Sequence, residues 1–131
     1  MPEKLSEDNV ALLNSKVLAH VATVMADCSP QVTPVWVDTD GEAVIFNTAK
    51  GRVKYRNIER EPRVAVSVVD RDDPYRTVVV RGQAELIDEG ADAHIDKLAK
   101  KYLNLEKYPH RTPSEVRVIY KITPHSFSTM G

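Results

Sequence analysis

Eighteen of the 131 residues are valine, more than any other type. A β-branched side chain is stiff at χ1 and suits a pleated, half-buried surface, so the chain is biased towards sheet. Turn residues divide it into six extended segments. The first runs from Val17 to Met25 and ends at the turn Asp27-Cys28-Ser29-Pro30. The second, Gln31 to Asp38, ends at Asp40-Gly41, where a positive φ is cheap and a hairpin is expected. Ala43 to Thr48 follows, so the first three strands read as an antiparallel meander. The fourth strand is Arg63 to Val69, after Pro62. The fifth, Arg76 to Ile87, carries Gly82, which marks a bulge or a close backbone approach. The sixth is Glu115 to Ile122, with Pro124 ahead of a short tail, His125 to Gly131.

Helices are expected between these strands. Ser6 opens a short one, with Glu7 and Asp8 at the positive end of its dipole and Val10, Leu13 and Val17 at helical spacing. A second runs from Arg52 to Arg60. The third is marked by Ile95, Leu98, Ala99, Tyr102 and Leu103, spaced i, i+3, i+4, i+7, i+8. The expected architecture is one domain over residues 1–131, mainly β, an antiparallel barrel with helices at its ends.

Composition narrows the function. Net charge is −1, and there is one Trp, five Tyr and two Phe, which disfavours a nucleic-acid-binding barrel. No apolar run approaches a membrane span, and Met1 to Asp8 lacks the pattern of a secretory signal. With Cys28 as its single cysteine, the chain is read as cytoplasmic. Metal chemistry is not expected, because His20, His94, His110 and His125 have no partners at ligand spacing. His20 is read as a hydrogen-bonded core residue and His94 as surface. Cys28, beside Asp27 and without a base, is not read as a nucleophile.

One segment stands apart. In Thr48-Ala49-Lys50-Gly51-Arg52-Val53-Lys54-Tyr55-Arg56-Asn57, four cations fall in seven residues of a nearly neutral chain. They sit where a strand gives way to a helix, so free N–H groups and the positive dipole end add to them, an anion site. Thr48 and Asn57 add donors. A solvated basic helix face is the competing reading. A second segment, Gln31-Val32-Thr33-Pro34-Val35-Trp36, contains a proline that cannot donate a ladder bond, which marks an edge or interruption. Free backbone groups there suit a flat heteroaromatic ligand, although a lone Trp36 is ordinarily core. In a third, Tyr75-Arg76-Thr77 offers a stacking surface and an anion contact, or else an acidic hairpin tip. Arg81, Arg117 and Lys121 are further strand cations without a specific signal.

Taken in order, Ser29-Pro30-Gln31, Pro34-Val35-Trp36, Phe46-Asn47-Thr48 and Lys50-Gly51-Arg52-x-Lys54-x-x-Asn57 resemble the pyridoxamine-phosphate-oxidase-like split β-barrel family. So do Glu61-Pro62-Arg63-Val64, Pro74-Tyr75-Arg76-Thr77, Arg81-Gly82-Gln83-Ala84, Tyr108-Pro109 and Arg117-Val118. They look most like its deazaflavin (coenzyme F420)-dependent branch in actinobacteria. The resemblance implies a six-stranded split barrel and a homodimer with cofactor sites between subunits. It implies a phosphate clamp at Arg52, Lys54 and Asn57, with Thr48, Lys50 and Gly51 nearby, and ring-facing positions at Gln31, Thr33, Val35, Trp36 and Asn47. Tyr75, Arg76 and Thr77 match a segment that reaches the cofactor from the other subunit. The implied activity is hydride transfer from reduced F420 to an electron-poor small acceptor, with Tyr75 or solvent as proton donor and Lys50 and Arg76 towards the glutamyl tail. The family's oxidases carry a C-terminal extension, whereas this sequence stops at Gly131, which favours the reductase branch. The alternatives are an FMN-binding oxidase or flavin reductase, and a non-catalytic flavin, deazaflavin or haem binder.

Overall fold

The structure, a computed structural model, describes residues 4–130. Its elements are α1 (Glu7–Asn14), β1 (Leu18–Val24), β2 (Pro30–Thr39), β3 (Val44–Ala49), α2 (Val53–Arg60), β4 (Arg63–Val69), β5 (Thr77–Ile87), α3 (Ala91–Leu103) and β6 (Arg117–Met130). The strands close into an antiparallel barrel in the order β1-β2-β3-β6-β5-β4. The predicted meander β1-β2-β3 is present. Among the described residues no helix is long and apolar enough to cross a membrane.

The barrel interior follows from alternation. Val64, Val66 and Val68 on β4, Val78 and Val80 on β5, and Val118, Tyr120 and Ile122 on β6 point inward and are buried. Phe46 meets Tyr120 among them, with ring centroids 5.5 Å apart. The same alternation corrects one expectation: Ala19 and Val21 are fully buried, so His20 between them faces outward and is exposed. α1 closes one end through Leu12 and Leu13. Ser6 caps it, accepting from the Asn9 N–H at 3.1 Å. Val17 is buried but belongs to the chain leading into β1, because the helix ends at Asn14. Leu103, expected on the apolar face of α3, is 42% exposed in the last turn, where Asn104 ends the helix at a φ of 58°.

Two readings of the fifth and sixth strands meet at one point. The β5–β6 register shifts between Arg81 and Gly82, and Gly82 lies opposite Pro124. A Cβ on Gly82 would stand 2.4 Å from the Thr123 carbonyl oxygen, so the glycine is both bulge and close approach. The irregularity also accommodates Pro124, which has no N–H to give a ladder. β6 therefore runs on to Met130, where a tail was expected; Gly131 lies outside the described residues.

The barrel wall is open at one place. β2 pairs with β1 from Pro30 to Trp36, but with β3 only at Val37–Phe46, Asp38–Ile45 and Thr39–Val44. The first part of β2 is thus a sheet edge, as Pro34 predicts.

Because the Thr123 carbonyl cannot retreat from a methyl group without disturbing the ladder, Gly82→Ala is expected to lower stability by about 1–3 kcal/mol. Urea unfolding checks it: the midpoint falls while the slope stays unchanged.

Candidate functional site

The candidate site is the cleft formed where β2 leaves β3. Beyond the Val37–Phe46 pair, Trp36, Val35 and Pro34 lie across from Asn47 and Thr48 without pairing to them. The Tyr102 hydroxyl of α3 ties β2 to the chain entering β1: it accepts from the Val37 N–H at 3.0 Å and donates to the Val17 carbonyl, while Lys101 Nζ donates to the Val37 carbonyl at 2.6 Å. The Val37 backbone groups thus face the β1 side, and two residues back Val35 turns its own N–H and C=O towards β1 by strand alternation. The edge towards the cleft belongs to the backbone of Trp36 and of Pro34, which has no N–H.

The floor is aromatic. Trp36 stacks on Tyr102 with centroids 5.1 Å apart and planes 5° from parallel. Tyr108 meets Trp36 edge-on at 6.0 Å, and the Arg117 guanidinium lies 4.8 Å from the Tyr108 ring centre. Trp36, a ring-facing position by resemblance and core by the competing reading, is half-buried and borders the opening. Asp96 holds the loop that carries Tyr108, accepting from the Tyr108 N–H at 2.9 Å and from Arg111 at 2.6 Å.

The cleft is a cavity of about 300 Å³ whose lining includes Arg52, Lys54 and Arg117 but no carboxylate. Arg52 is the N-cap of α2 and makes no side-chain cap bond; the first turn contains no acidic residue. Free N–H groups and two cations thus share the positive end of a helix, an arrangement the dipole disfavours without an anion. Burial, and then the Arg52 charge, hold the Lys54 ammonium below its ordinary range. Glu115 is the nearest counter-charge, 3.2 Å from Arg52 and 2.5 Å from Arg117. Arg117 is buried, its Nη1 donates to Asn47 Oδ1 at 3.3 Å, and its Nε and Nη2 have no hydrogen-bond partner.

Of the residues predicted from sequence, Val35, Trp36, Asn47, Thr48, Arg52 and Lys54 come together here. Others do not. Asn57 is buried against the barrel, donating to Thr23 Oγ1 at 3.0 Å and to Met25 Sδ at 3.3 Å, so it fastens α2 to the barrel instead of facing the cleft. Gln31 accepts from the same Thr23 hydroxyl at 3.1 Å, and the Thr33 hydroxyl is buried without a partner. Lys50 lies 3.6 Å from Asp88, outside the cleft, and Gly51 supplies the turn into α2 with a φ of 90°. Tyr75 is 69% exposed on the β4–β5 loop, next to Thr77 at the start of β5. Arg76 is bound to Asp8 at 2.7 Å and Asp70 at 2.6 Å, which raise its pKa further. Arg117, Tyr108 and His110, which also line the cleft, carried no motif; only their place in the family-like segments or beside them hinted at a role. His94, expected on the surface, is a correction: its ring is 9% exposed and bonded to Asp38 and Asn47. Asn47 covers the barrel's outer wall beneath α3, donating to the Ala91 carbonyl at 2.9 Å.

Known proteins share this barrel. Residues 5–131 match the profile of the pyridoxamine 5'-phosphate oxidase family. The chain belongs to that family. It is 30% identical over 120 residues to the F420H(2)-dependent biliverdin reductase of Mycobacterium tuberculosis (strain CDC 1551 / Oshkosh), covering 88% of this chain and 85% of that one. A solved structure described as an F420 reductase superposes with a TM-score of 0.81 at 37% identity, covering 95% of this chain and 98% of that one. HupZ of Group A Streptococcus shares the fold, with a TM-score of 0.70 at 23% identity over 95% of this chain and 93% of that one.

The aromatic floor gives a pH test. Burial, opposed by the Val37 N–H and assisted by the Asp38 charge, pushes the Tyr102 phenol up to about 12 from 10.0. A folded-state value above the unfolded one means that the stabilisation is complete below about pH 10 and is lost as the phenol ionises towards pH 12. Wild-type protein is expected to lose about 2–3 kcal/mol across that window which Tyr102→Phe does not lose. Urea midpoints of both proteins on either side of the window measure the difference.

Proposed function

We propose that this protein is a reductase that takes a hydride from reduced coenzyme F420 and delivers it to an electron-poor small molecule. The observation that carries the reading is the cleft lining: three cations and the open first turn of α2 around a flat aromatic floor, with no carboxylate among them. A cofactor that joins a planar ring to a phosphate satisfies both halves. The 37%-identical F420 reductase and the 30%-identical F420H(2)-dependent biliverdin reductase support F420 over other ring-phosphate cofactors. FMN offers the same two features, and the family profile itself is that of an oxidase. A direct competition between the two cofactors decides the matter.

When bound, reduced F420 supplies the hydride. The chain's residues bind, orient and exclude water. Arg52 and Lys54, with the first-turn N–H groups of α2, hold the phosphate; an anion there offsets the burial and the Arg52 charge that hold the Lys54 ammonium down. The Trp36 N–H and C=O, on the cleft-facing edge of β2, address the polar rim of the ring, with Val35 beside them. Thr48, buried at the end of β3, adds a hydroxyl beside the clamp. Arg117 stabilises negative charge that develops on the ring or the acceptor.

Gln31, Tyr75, Arg76 and Thr77 are remote from the cleft within one chain. If they serve it, they come from a second copy, and we therefore read the working form as a homodimer. The exposed apolar side chains Leu18, Val32 and Tyr75 suit such a contact. Tyr75 is then the candidate proton donor, with solvent as the alternative, and Lys50 and Arg76 the candidate contacts for the glutamyl tail. The lone Cys28, exposed and free, accords with a reducing cytoplasmic setting.

Fluorescence titration with F420 and with FMN is the test. F420 is expected to bind the tighter, and Lys54→Ala to raise its dissociation constant by about one to two powers of ten through loss of one charge-assisted bond. Tighter FMN binding sinks the cofactor assignment, and an unchanged constant in the variant sinks the clamp. Oxidation of reduced F420 on adding activated alkenes, quinones or biliverdin reads the activity.

A further inference from the structure

We infer that Asp38, His94 and Asn47 form a hydrogen-bonded relay whose task is to hold the Arg117 guanidinium in place at the cleft. The inference rests on the cleft being the cofactor site.

The relay's roles are fixed from its two ends. The Ala91 carbonyl can only accept, and it lies 2.9 Å from Asn47 Nδ2; a guanidinium can only donate, and Arg117 Nη1 lies 3.3 Å from Asn47 Oδ1. Together they orient the Asn47 amide, an assignment that neighbours, not atom positions alone, must settle. Nδ2 is therefore the donor in its second contact, 3.2 Å from His94 Nδ1, and that ring nitrogen is bare. His94 then carries its hydrogen on Nε2, which faces Asp38 Oδ2 at 3.1 Å. Asp38 is suited to receive it. Burial alone would raise its carboxyl, but bonds from His94, Lys97 and the Thr39 N–H outweigh that and hold it well below the usual carboxylate range.

Every link thus has one direction. A buried carboxylate orients the imidazole, the imidazole accepts from the amide, and the amide oxygen accepts from the arginine. Bonds of this kind, one step removed from the ligand, orient the groups that touch it. Arg117 needs such support. It stands on the outer wall of β6, its Nη2 meets Glu115 Oε1 at 2.5 Å without hydrogen-bond geometry, and its Nε has no partner. Without Asn47 the guanidinium keeps only the Glu115 ion pair and the face of the Tyr108 ring, neither of which fixes its direction by a hydrogen bond. Asn47 is accordingly a positioning residue that acts through Arg117, although sequence reasoning places it against the cofactor.

Two measurements test this. The first is a double-mutant cycle read as F420 affinity. Asn47→Leu is expected to raise the dissociation constant about tenfold when Arg117 is present, the loss of one charge-assisted bond. In the Arg117→Ala background the same change is expected to cost less than about twofold, since there is no guanidinium left to position. Equal losses in both backgrounds overturn the relay, because they show Asn47 acting on the ligand directly or on the fold. The second measurement needs neither ligand nor variant. The ¹⁵N shifts of the His94 ring in the wild-type protein are expected to show a protonated Nε2 and a bare Nδ1. A hydrogen on Nδ1, alone or with one on Nε2, overturns the relay even if Asn47→Leu fails to fold. A wild-type protein that ignores F420 overturns the cofactor reading instead, and leaves the ring spectrum to decide the relay.

Discussion

The structure depends on the parting of β2 from β3 after Val37 and Phe46. An unpaired strand edge buried in a protein is costly, because each orphaned backbone group forfeits about 1–3 kcal/mol of hydration. The Val37 N–H and carbonyl face the β1 side, where Tyr102 and Lys101 take them and Tyr102 also reaches the Val17 carbonyl. The Tyr102 ring then supports Trp36, and Trp36 meets Tyr108. α3 therefore fastens β2 to the chain entering β1 and floors the cleft beside the free edge. Pro34 contributes by having no N–H to leave unpaired.

The second constraint is electrostatic. Cations at a helix N-terminus oppose the dipole, and burying one of them beside another opposes it further. The fold nevertheless places Arg52 and Lys54 at the start of α2 and brings Arg117 from β6 to join them. Local rules broken in concert mark functional sites in natural proteins. Glu115 answers part of the charge, since it lies close to both arginines, but it does not line the cleft. In the proposed reading the cofactor phosphate supplies the remaining counter-charge.

What sequence discloses follows from where partners lie along the chain. The strands are legible because alternation is local, and β4 spans Arg63–Val69 as the sequence predicts. The Lys50–Asn57 cluster was legible because its cations are neighbours. Helix face was harder: Asn57 shares the cluster with Lys54 yet turns towards Thr23 on β1, and no count of charges distinguishes the two. The extent of β6 past Pro124 was hidden because it needs Gly82 opposite. Arg117 and His94 were unreadable for the same reason at longer range. Arg117 finds Asn47 across 70 residues, and His94 finds Asp38 across 56. A lone arginine or histidine on an element carries no mark of what the fold will set beside it.

The proposed dimer would divide the site between two chains. The β4–β5 loop is preset within its own chain: Arg76 is pinned between Asp8 on α1 and Asp70, and the Asp73 carboxylate accepts from the Tyr75 N–H at 3.0 Å. That bracing spends the Arg76 charge locally and leaves the Tyr75 ring in water. A loop so braced, yet presenting an aromatic side chain to nothing in its own chain, is better suited to delivering that side chain elsewhere than to flexing around a ligand. In the proposed dimer, the rigid cleft of one copy supplies charge and backbone edge, and the braced loop of the other supplies the aromatic hydroxyl. Arg76 then acts as the fastener of the loop, and Tyr75 as the group that it delivers.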